Sequence, residues 1–226
     1  MIKTVIFDMD NTIVKCSHLH VNSLNKALLS VSEKFLISEE DNKREFEALP
    51  TKRKLEMLTE KRGLPLDEHK KIHELKQKYT LEFIENDIEA DTIMIELFAR
   101  LKADGYKIYV ASNSVRLTIE KMLAKLRLSE FVDHFISNEE VKCPKPNPEI
   151  FLKCMSHGSL TPSECLIVED SFYGQKAAID SGGNLMPVKN PKDVTVATVY
   201  HFIRLYLPFD FKNNEMHHPV NSVPAS

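Results

Sequence analysis

The sequence predicts an α/β protein: a parallel sheet core with an all-helical block inserted after the first strand. Three observations lead there. Val5-Ile6-Phe7 is an unbroken apolar run, which a central parallel strand needs when helices cover both of its faces. From about residue 17 to 89 strand signals are nearly absent and good helix formers dominate. From residue 91 onward short apolar runs alternate with amphipathic ones, the pattern of parallel strands joined by right-handed helical crossovers. The expected division is a core of residues 1–14 and 90–210, a helical domain of residues 15–89 that covers the site like a lid, and a polar tail over 211–226 expected to be poorly ordered.

In order along the chain, the first strand ends in two acids one residue apart, Asp8 and Asp10. On extended backbone, side chains two apart leave the same face, so both acids enter one space where ligands of open α/β sheets gather. In the helical block Leu24, Leu28, Leu29, Val31 and Phe35 fall at helical spacing. Lys54-Leu55-Glu56-Met57-Leu58 continues the pattern until Gly63 and Pro65 break it. Leu75, Tyr79, Phe83 and Ile84 mark a further amphipathic helix. Ile93 to Lys102 is another, ended by Asp104-Gly105, where glycine accepts positive φ. Lys107 to Ser112 reads as the second strand and Leu117 to Leu126 as the helix after it. Phe135 to Ser137 is a third strand, Pro148-Glu149-Ile150-Phe151 opens a helix, and Cys165 to Val168 is a fourth strand. Gln175 to Asp180 is helical, and Leu185 to Val188 is a short fifth strand.

The 226 residues are 42% hydrophobic and 28% charged, enough for a sizeable core with an insertion. A net charge of -3 gives no basic excess to attract nucleic acid or an anionic membrane surface. No long apolar leader precedes the first strand and no run of about eighteen apolar residues occurs, so a cytoplasmic protein is expected. Cys16, Cys143, Cys154 and Cys165 lack CxxC spacing and are read as free thiols. A monomer or weak homodimer is expected.

Parallel strands deliver their following residues to one edge. The second strand brings Ser112 and Asn113, the loop before Pro146 brings Lys145, and the fourth strand brings Glu169 and Asp170. Singly, each is ordinary: acids after strands often cap helices, and a lysine before proline is usually surface. Together, the four carboxylates of Asp8, Asp10, Glu169 and Asp170 repel unless a hard cation joins them. Magnesium suits a few carboxylates, a carbonyl, waters and a substrate phosphate.

These stretches resemble the motifs of the haloacid dehalogenase superfamily. Asp8-Met9-Asp10-Asn11-Thr12 is similar to the first motif, Ala111-Ser112-Asn113-Ser114 to the second, and Lys145-Pro146-Asn147-Pro148-Glu149-Ile150-Phe151 to the third. Val168-Glu169-Asp170-Ser171, with Gly174, Ala177 and Ala178, is similar to the fourth. The resemblance runs to about Pro191. It implies a Rossmann-like core, and the helical insertion resembles the cap of the β-phosphoglucomutase-like and sugar-phosphate phosphatase branch. Asp8 is thereby implied as nucleophile and Asp10 as acid and base. Asp8, Asp10 through its backbone carbonyl, Glu169 and Asp170 are implied as magnesium ligands, and Ser112, Asn113 and Lys145 as holding the phosphate. His20 matches a hinge-side histidine of this branch. Lys142 is a second candidate for the phosphate-facing lysine, and the register of the following Pro-Asn-Pro-Glu favours Lys145. Lys15-Cys16 stands where the branch more usually has an acid.

The implied activity is a magnesium-dependent phosphatase for small phosphorylated metabolites, sugar phosphates foremost, working through an aspartyl phosphate. The alternative is a phosphotransferase like β-phosphoglucomutase. Dehalogenation needs no cation, which the Glu169-Asp170 pair argues for. A regulatory protein that merely kept the fold predicts damaged motifs, and none is damaged. Substrate choice is expected in the insertion, where Lys52 and Arg53 are candidate contacts, against the plain reading of a solvated basic helix face. His69 and His73, at i and i+4 without an HExxH glutamate, are read as surface or core residues, and His217-His218 as tail.

Overall fold

The structure, a computed structural model, describes residues 1–46, 49–206 and the paired strands β6 (Phe209–Asp210) and β7 (Glu215–Met216). Apart from Glu215–Met216, the tail expected over 211–226, with His217-His218, lies outside the described residues. Thr4–Phe7 forms β1, buried at every position. It pairs in parallel with β2 (Lys107–Ala111) on one side and β4 (Cys165–Glu169) on the other. With β3 (His134–Ile136) and β5 (Asn184–Pro187) they make a five-stranded parallel sheet of order β3-β2-β1-β4-β5. Phe7 stands opposite both Val110 and Val168. The chain therefore leaves β1, β2 and β4 at one level, and the residues that follow meet at one edge.

The helices are α1 (Ser17–Leu28), α2 (Glu39–Asp41), α3 (Thr51–Arg62), α4 (His69–Asp87), α5 (Thr92–Ala103), α6 (Arg116–Lys125), α7 (Glu149–His157), α8 (Phe172–Asp180) and α9 (Val196–Leu205). Period-two alternation sorts the strand side chains between two faces. Val5, Phe7, Ile108, Val110, Leu166 and Val168 meet Leu97, Phe98 and Leu101 of α5, Ile119 and Met122 of α6, and Val199 and Ile203 of α9. Ile6, Tyr109, Ala111 and Ile167 meet Ile150, Phe151 and Cys154 of α7 and Ala177 and Ala178 of α8. Each buried aliphatic or aromatic side chain stabilises the fold by about 1.5–3 kcal/mol, which is why continuous apolar strands settle in this position. Phe7 also stacks on Phe98 at 4.9 Å.

Between β1 and α5 the inserted helices hold a cluster of their own: Leu24, Ala27, Leu28, Phe35, Ile37, Phe46, Leu55, Leu58, Leu64 and Ile72. Leu19, Ile84 and Ile88, at the ends of this segment, belong instead to the sheet's cluster. Gly63 ends α3 at φ +71. The helical spacing from Leu24 to Phe35 does not mark one helix. α1 stops at Leu28, and Ser32 accepts a hydrogen bond from Lys34 N to start a separate 3₁₀ turn, Glu33–Phe35. α8 begins at Phe172 rather than Gln175 because the Ser171 hydroxyl accepts from Gly174 N. α9 is an element that the sequence reading did not contain. All four cysteines are free thiols, three of them buried. Among the described residues no helix is long and apolar enough to cross a membrane.

Candidate active site

The loop after β1 is built to hold its two acids. Asp8 N donates to Val168 O at 2.9 Å, carrying the ladder one residue past the strand. The chain then turns on the Met9 carbonyl, which accepts from Thr12, Ile13 and Val14 N. Asn11 takes φ 62, a left-handed conformation that asparagine tolerates better than most residues, and its Oδ1 accepts from Cys16 N at 3.2 Å.

Lys145 lies between the carboxylates of β1 and β4. Its Nζ donates to Asp8 Oδ1 at 2.6 Å, Glu169 Oε2 at 2.7 Å and Ala111 O at 2.8 Å. Asp8, Lys145 and Glu169 are all buried. Against the burial that would lower it, Asp8 and Glu169 hold the ammonium above its ordinary value. Burial pushes the Asp8 carboxyl up, and the Glu169 charge adds to that against the pull of Lys145. Burial and Glu169 likewise raise Asp170 to about 6. One ammonium does not neutralise three acids. Glu169 Oε1 accepts from Ser171 N and Oγ at 3.1 and 2.9 Å, and Gly174 leaves the space that this carboxylate fills, since a Cβ there would stand 2.0 Å from Cδ.

Asp10 has a different environment. Cys16 Sγ donates to its Oδ1 at 3.0 Å and Ser114 Oγ to its Oδ2 at 3.1 Å. His20 Nε2 lies 3.2 Å from Oδ1. On the other side of the ring, His20 Nδ1 is 3.5 Å from Lys76 Nζ. Despite burial, His20, Cys16 and Ser114 hold the Asp10 carboxyl well below the usual carboxylate range. The Cys16 thiol is pushed up by burial and by Asp10, so it stays a protonated donor.

A cavity of about 610 Å³ opens over these acids, between the sheet edge and the inserted helices. Asp8, Asp10, His20, Asn113, Lys145, Asp170 and Lys52 are all in its wall. Other expected residues are placed differently. Arg53 is outside the wall, where it pairs with Glu56 and Glu60 at 3.3 Å each, so its charge has local partners on the helix surface. Ser112 is fully buried behind the wall, its hydroxyl accepting from Ser114 N at 3.0 Å. Asn113 Oδ1 accepts from Lys145 N at 3.1 Å, which ties the second strand end to the lysine loop. Lys142 N donates to Glu149, away from Asp8. His73 is in the wall, whereas His69 Nε2 meets Thr59 Oγ1 at 2.8 Å. Sequence reasoning missed Ser114 and Thr12 as contacts of the acids, and Lys76 as the neighbour of His20. Thr12 Oγ1 donates to Asp170 Oδ1 at 3.2 Å. Ser114 and Thr12 lie inside the quoted motifs, while Lys76, mid-helix, carries no local signal.

The model of the haloacid dehalogenase-like hydrolase family matches residues 5–188. The chain belongs to this family. It is 26% identical over 202 residues to the protein CbbY of Rhodobacter capsulatus, covering 86% of this chain and 87% of that one. A phosphorylated carbohydrates phosphatase of Thermotoga maritima is 25% identical over 183 residues, 80% of this chain and 82% of the relative. The crystal structure of β-phosphoglucomutase from Clostridium difficile superposes with a TM-score of 0.76 at 22% identity, covering 91% of this chain and 99% of that one. The fold is that of the branch with a helical insertion after the first strand.

In this haloacid dehalogenase-like hydrolase the donor set fits a hard divalent cation. Ligand atoms of Asp8, Glu169 and Asp170 all lie within 4.8 Å of one another. Against the one ammonium of Lys145, these oxygens leave an excess of negative charge of about the size a divalent ion cancels. Asp10, Cys16 and His20 also lie within 4.8 Å, but there a protonated thiol donates to the acid, which is a hydrogen-bond cluster rather than a ligand set.

Proposed function

We propose that the protein is a magnesium-dependent phosphatase that hydrolyses small phosphorylated metabolites, sugar phosphates foremost, through an aspartyl phosphate at Asp8. The observation that carries this is the meeting of Asp8, Glu169 and Asp170 around Lys145. Asp8, Glu169, Asp170 and the Asp10 backbone carbonyl would hold the ion. When bound it would screen the two anions, carboxylate and phosphate, that must approach each other.

The residues divide the work as follows. The free carboxylate oxygen of Asp8 attacks phosphorus, and the phosphorus–oxygen bond to the leaving group breaks. Asp10 gives that oxygen its proton. Asp10 then takes a proton from water as the water oxygen attacks the phosphoaspartate, releasing phosphate and regenerating Asp8. Lys145 steadies charge on the phosphoryl oxygens, which is most of what a protein does for a loose phosphoryl transition state. Ser114 and Cys16 each hold one oxygen of Asp10, which aims the carboxyl for both proton transfers. Relatives acting on phosphorylated carbohydrates support the same class of substrate.

The test is a panel of phosphorylated metabolites assayed with and without magnesium, beside Asp8→Asn. Phosphate release is expected only with the ion and only with Asp8, because an amide oxygen is a poor nucleophile. Substantial turnover by Asp8→Asn rejects covalent catalysis. The phosphotransferase alternative, to which the shared fold with β-phosphoglucomutase gives weight, predicts an isomeric product and little inorganic phosphate in the same assay.

A further inference from the structure

Large apolar side chains exposed one at a time need no explanation, but two aromatic rings exposed together on a cavity rim do. Phe172 is 77% exposed and Tyr173 39% exposed. They are in contact, with centroids 5.6 Å apart and planes at 69°. Both lie in the wall of the cavity that contains Asp8 and Asp10. Other exposed apolar residues, such as Leu66, Ile93 and Leu205, are outside that wall.

Resting on the phosphatase reading, we propose that Phe172 and Tyr173 form a stacking subsite for a planar heteroaromatic ring. The substrate is then a phosphorylated sugar that carries such a ring, a nucleoside 5′-monophosphate.

Position supports the assignment. Phe172 opens α8 just after Ser171, whose hydroxyl caps the helix through Gly174 N at 3.0 Å, so the aromatic pair stands on a fixed helix start rather than a loose loop. Two residues before it is Asp170, whose carboxylate shares its oxygen cluster with Asp8. Two residues of chain put the Phe172 Cα within about 7 Å of the Asp170 Cα. A phosphate held at Asp8 and Lys145 thus shares one cavity with the rings, where a substituent on its sugar can meet them. The cavity volume of about 610 Å³ suits a ligand of that size. Lys43 and Lys52, in the same wall, supply donors for ring carbonyls and sugar hydroxyls. A flat polar ring matches such surroundings better than an alkyl chain. Stacking on a π-face accepts any base, so the subsite selects the ring and not its identity.

The experiment compares adenosine 5′-monophosphate with ribose 5-phosphate, which differ by the ring. In the wild type, kcat/KM is expected to favour the nucleotide by about tenfold or more. Phe172→Ser with Tyr173→Ser should shrink that ratio by about as much, chiefly through KM, while Phe172→Trp should keep it. A wild-type ratio near one overturns the subsite. So does an unchanged ratio in the double serine variant, the result expected if the rings serve only to meet the inserted helices. Failure to hydrolyse either ester defeats the phosphatase reading separately. The subsite is then decided by calorimetric binding to Asp8→Asn: tighter binding of the nucleotide, levelled by the serine pair, upholds it, and equal binding of the two esters rejects it.

Discussion

Lys145 and Asp8 touch each other, yet their removal should move stability in opposite directions. Among the described residues Lys145 is the one ammonium bonded to both Asp8 and Glu169, and burial gives each loss its full electrostatic weight. Lys145→Ala leaves uncompensated buried carboxylates and should cost about 3–5 kcal/mol, lowering Tm by on the order of 10 °C without divalent ions. Asp8→Asn removes one of the acids in excess and leaves Lys145 its bonds to Glu169 and Ala111 O. Its Tm in the same ion-free buffer should equal or exceed the wild-type value. A clear fall in Tm for Asp8→Asn would mean that the acids are not in excess. Thr12 carries a subtler effect. Its hydroxyl bonds Asp170, so Thr12→Val should weaken divalent-cation binding, read by calorimetry, by about 10–100-fold, as losing a partner of a metal ligand does. The acids were legible because each follows a strand end in the sequence, and Lys145 because the Pro-Asn-Pro-Glu stretch after it sets its register. Ser114 and Lys76 were not, because their roles depend on where an inserted helix brings His20 and on how the second strand end bends towards Asp10.

At the scale of elements, apolar runs located the five strands of the parallel sheet to within a residue or two, because the central strands, buried on both faces, leave an unambiguous sequence; the short β6 and β7 had no such signal. Helices were read less well where spacing and capping disagree. Leu24 to Phe35 keeps a helical period, but the Ser32 cap splits it. α9 carries Val196, Val199, Tyr200 and Ile203 at helical spacing behind a Thr195 capping box, a signal present in the chain but beyond the last expected strand. The junction of β3 and α7 holds a feature with a pH consequence. His134 and His157 stack with centroids 3.5 Å apart, and Tyr109 meets both rings edge-on. Burial, then the charge of His157, lowers the His134 pKa below its ordinary 6.5, with Arg116 acting the same way and Glu140 against. A lowered histidine binds fewer protons folded than unfolded. The stability His134 contributes is therefore complete above the unfolded value near 6.5 and is lost as pH falls below it. Thermal scans at about pH 7.5 and about pH 5.5 should show a smaller drop for His134→Phe than for the wild type. Equal drops would remove His134 from the acid response.

For the whole molecule, the inserted helical block was legible because a long stretch without strand signals cannot join the sheet. How it sits over the acids was not. That depends on single contacts across the cavity, such as Gln77 Nε2 donating to Thr118 Oγ1 at 3.0 Å, between α4 and α6. The inserted helices pack around Leu58 and its neighbours, a cluster separate from the one on the sheet, and are joined to the sheet's cluster through Leu19, Ile84 and Ile88. Two clusters with a narrow apolar join should open with different free energies. Leu58→Ala leaves a cavity in the inserted cluster alone and should cost about 2–5 kcal/mol there. Hydrogen exchange should then quicken for amides between residues 24 and 72, while those of β1, β2 and β4 stay as protected as in the wild type. If protection falls equally in the sheet, the insertion and the core unfold as one unit, and substrate entry cannot be gated by motion of the helices alone. If the rise stays within the insertion, the lid has a stability of its own that can be tuned without touching the acids it covers.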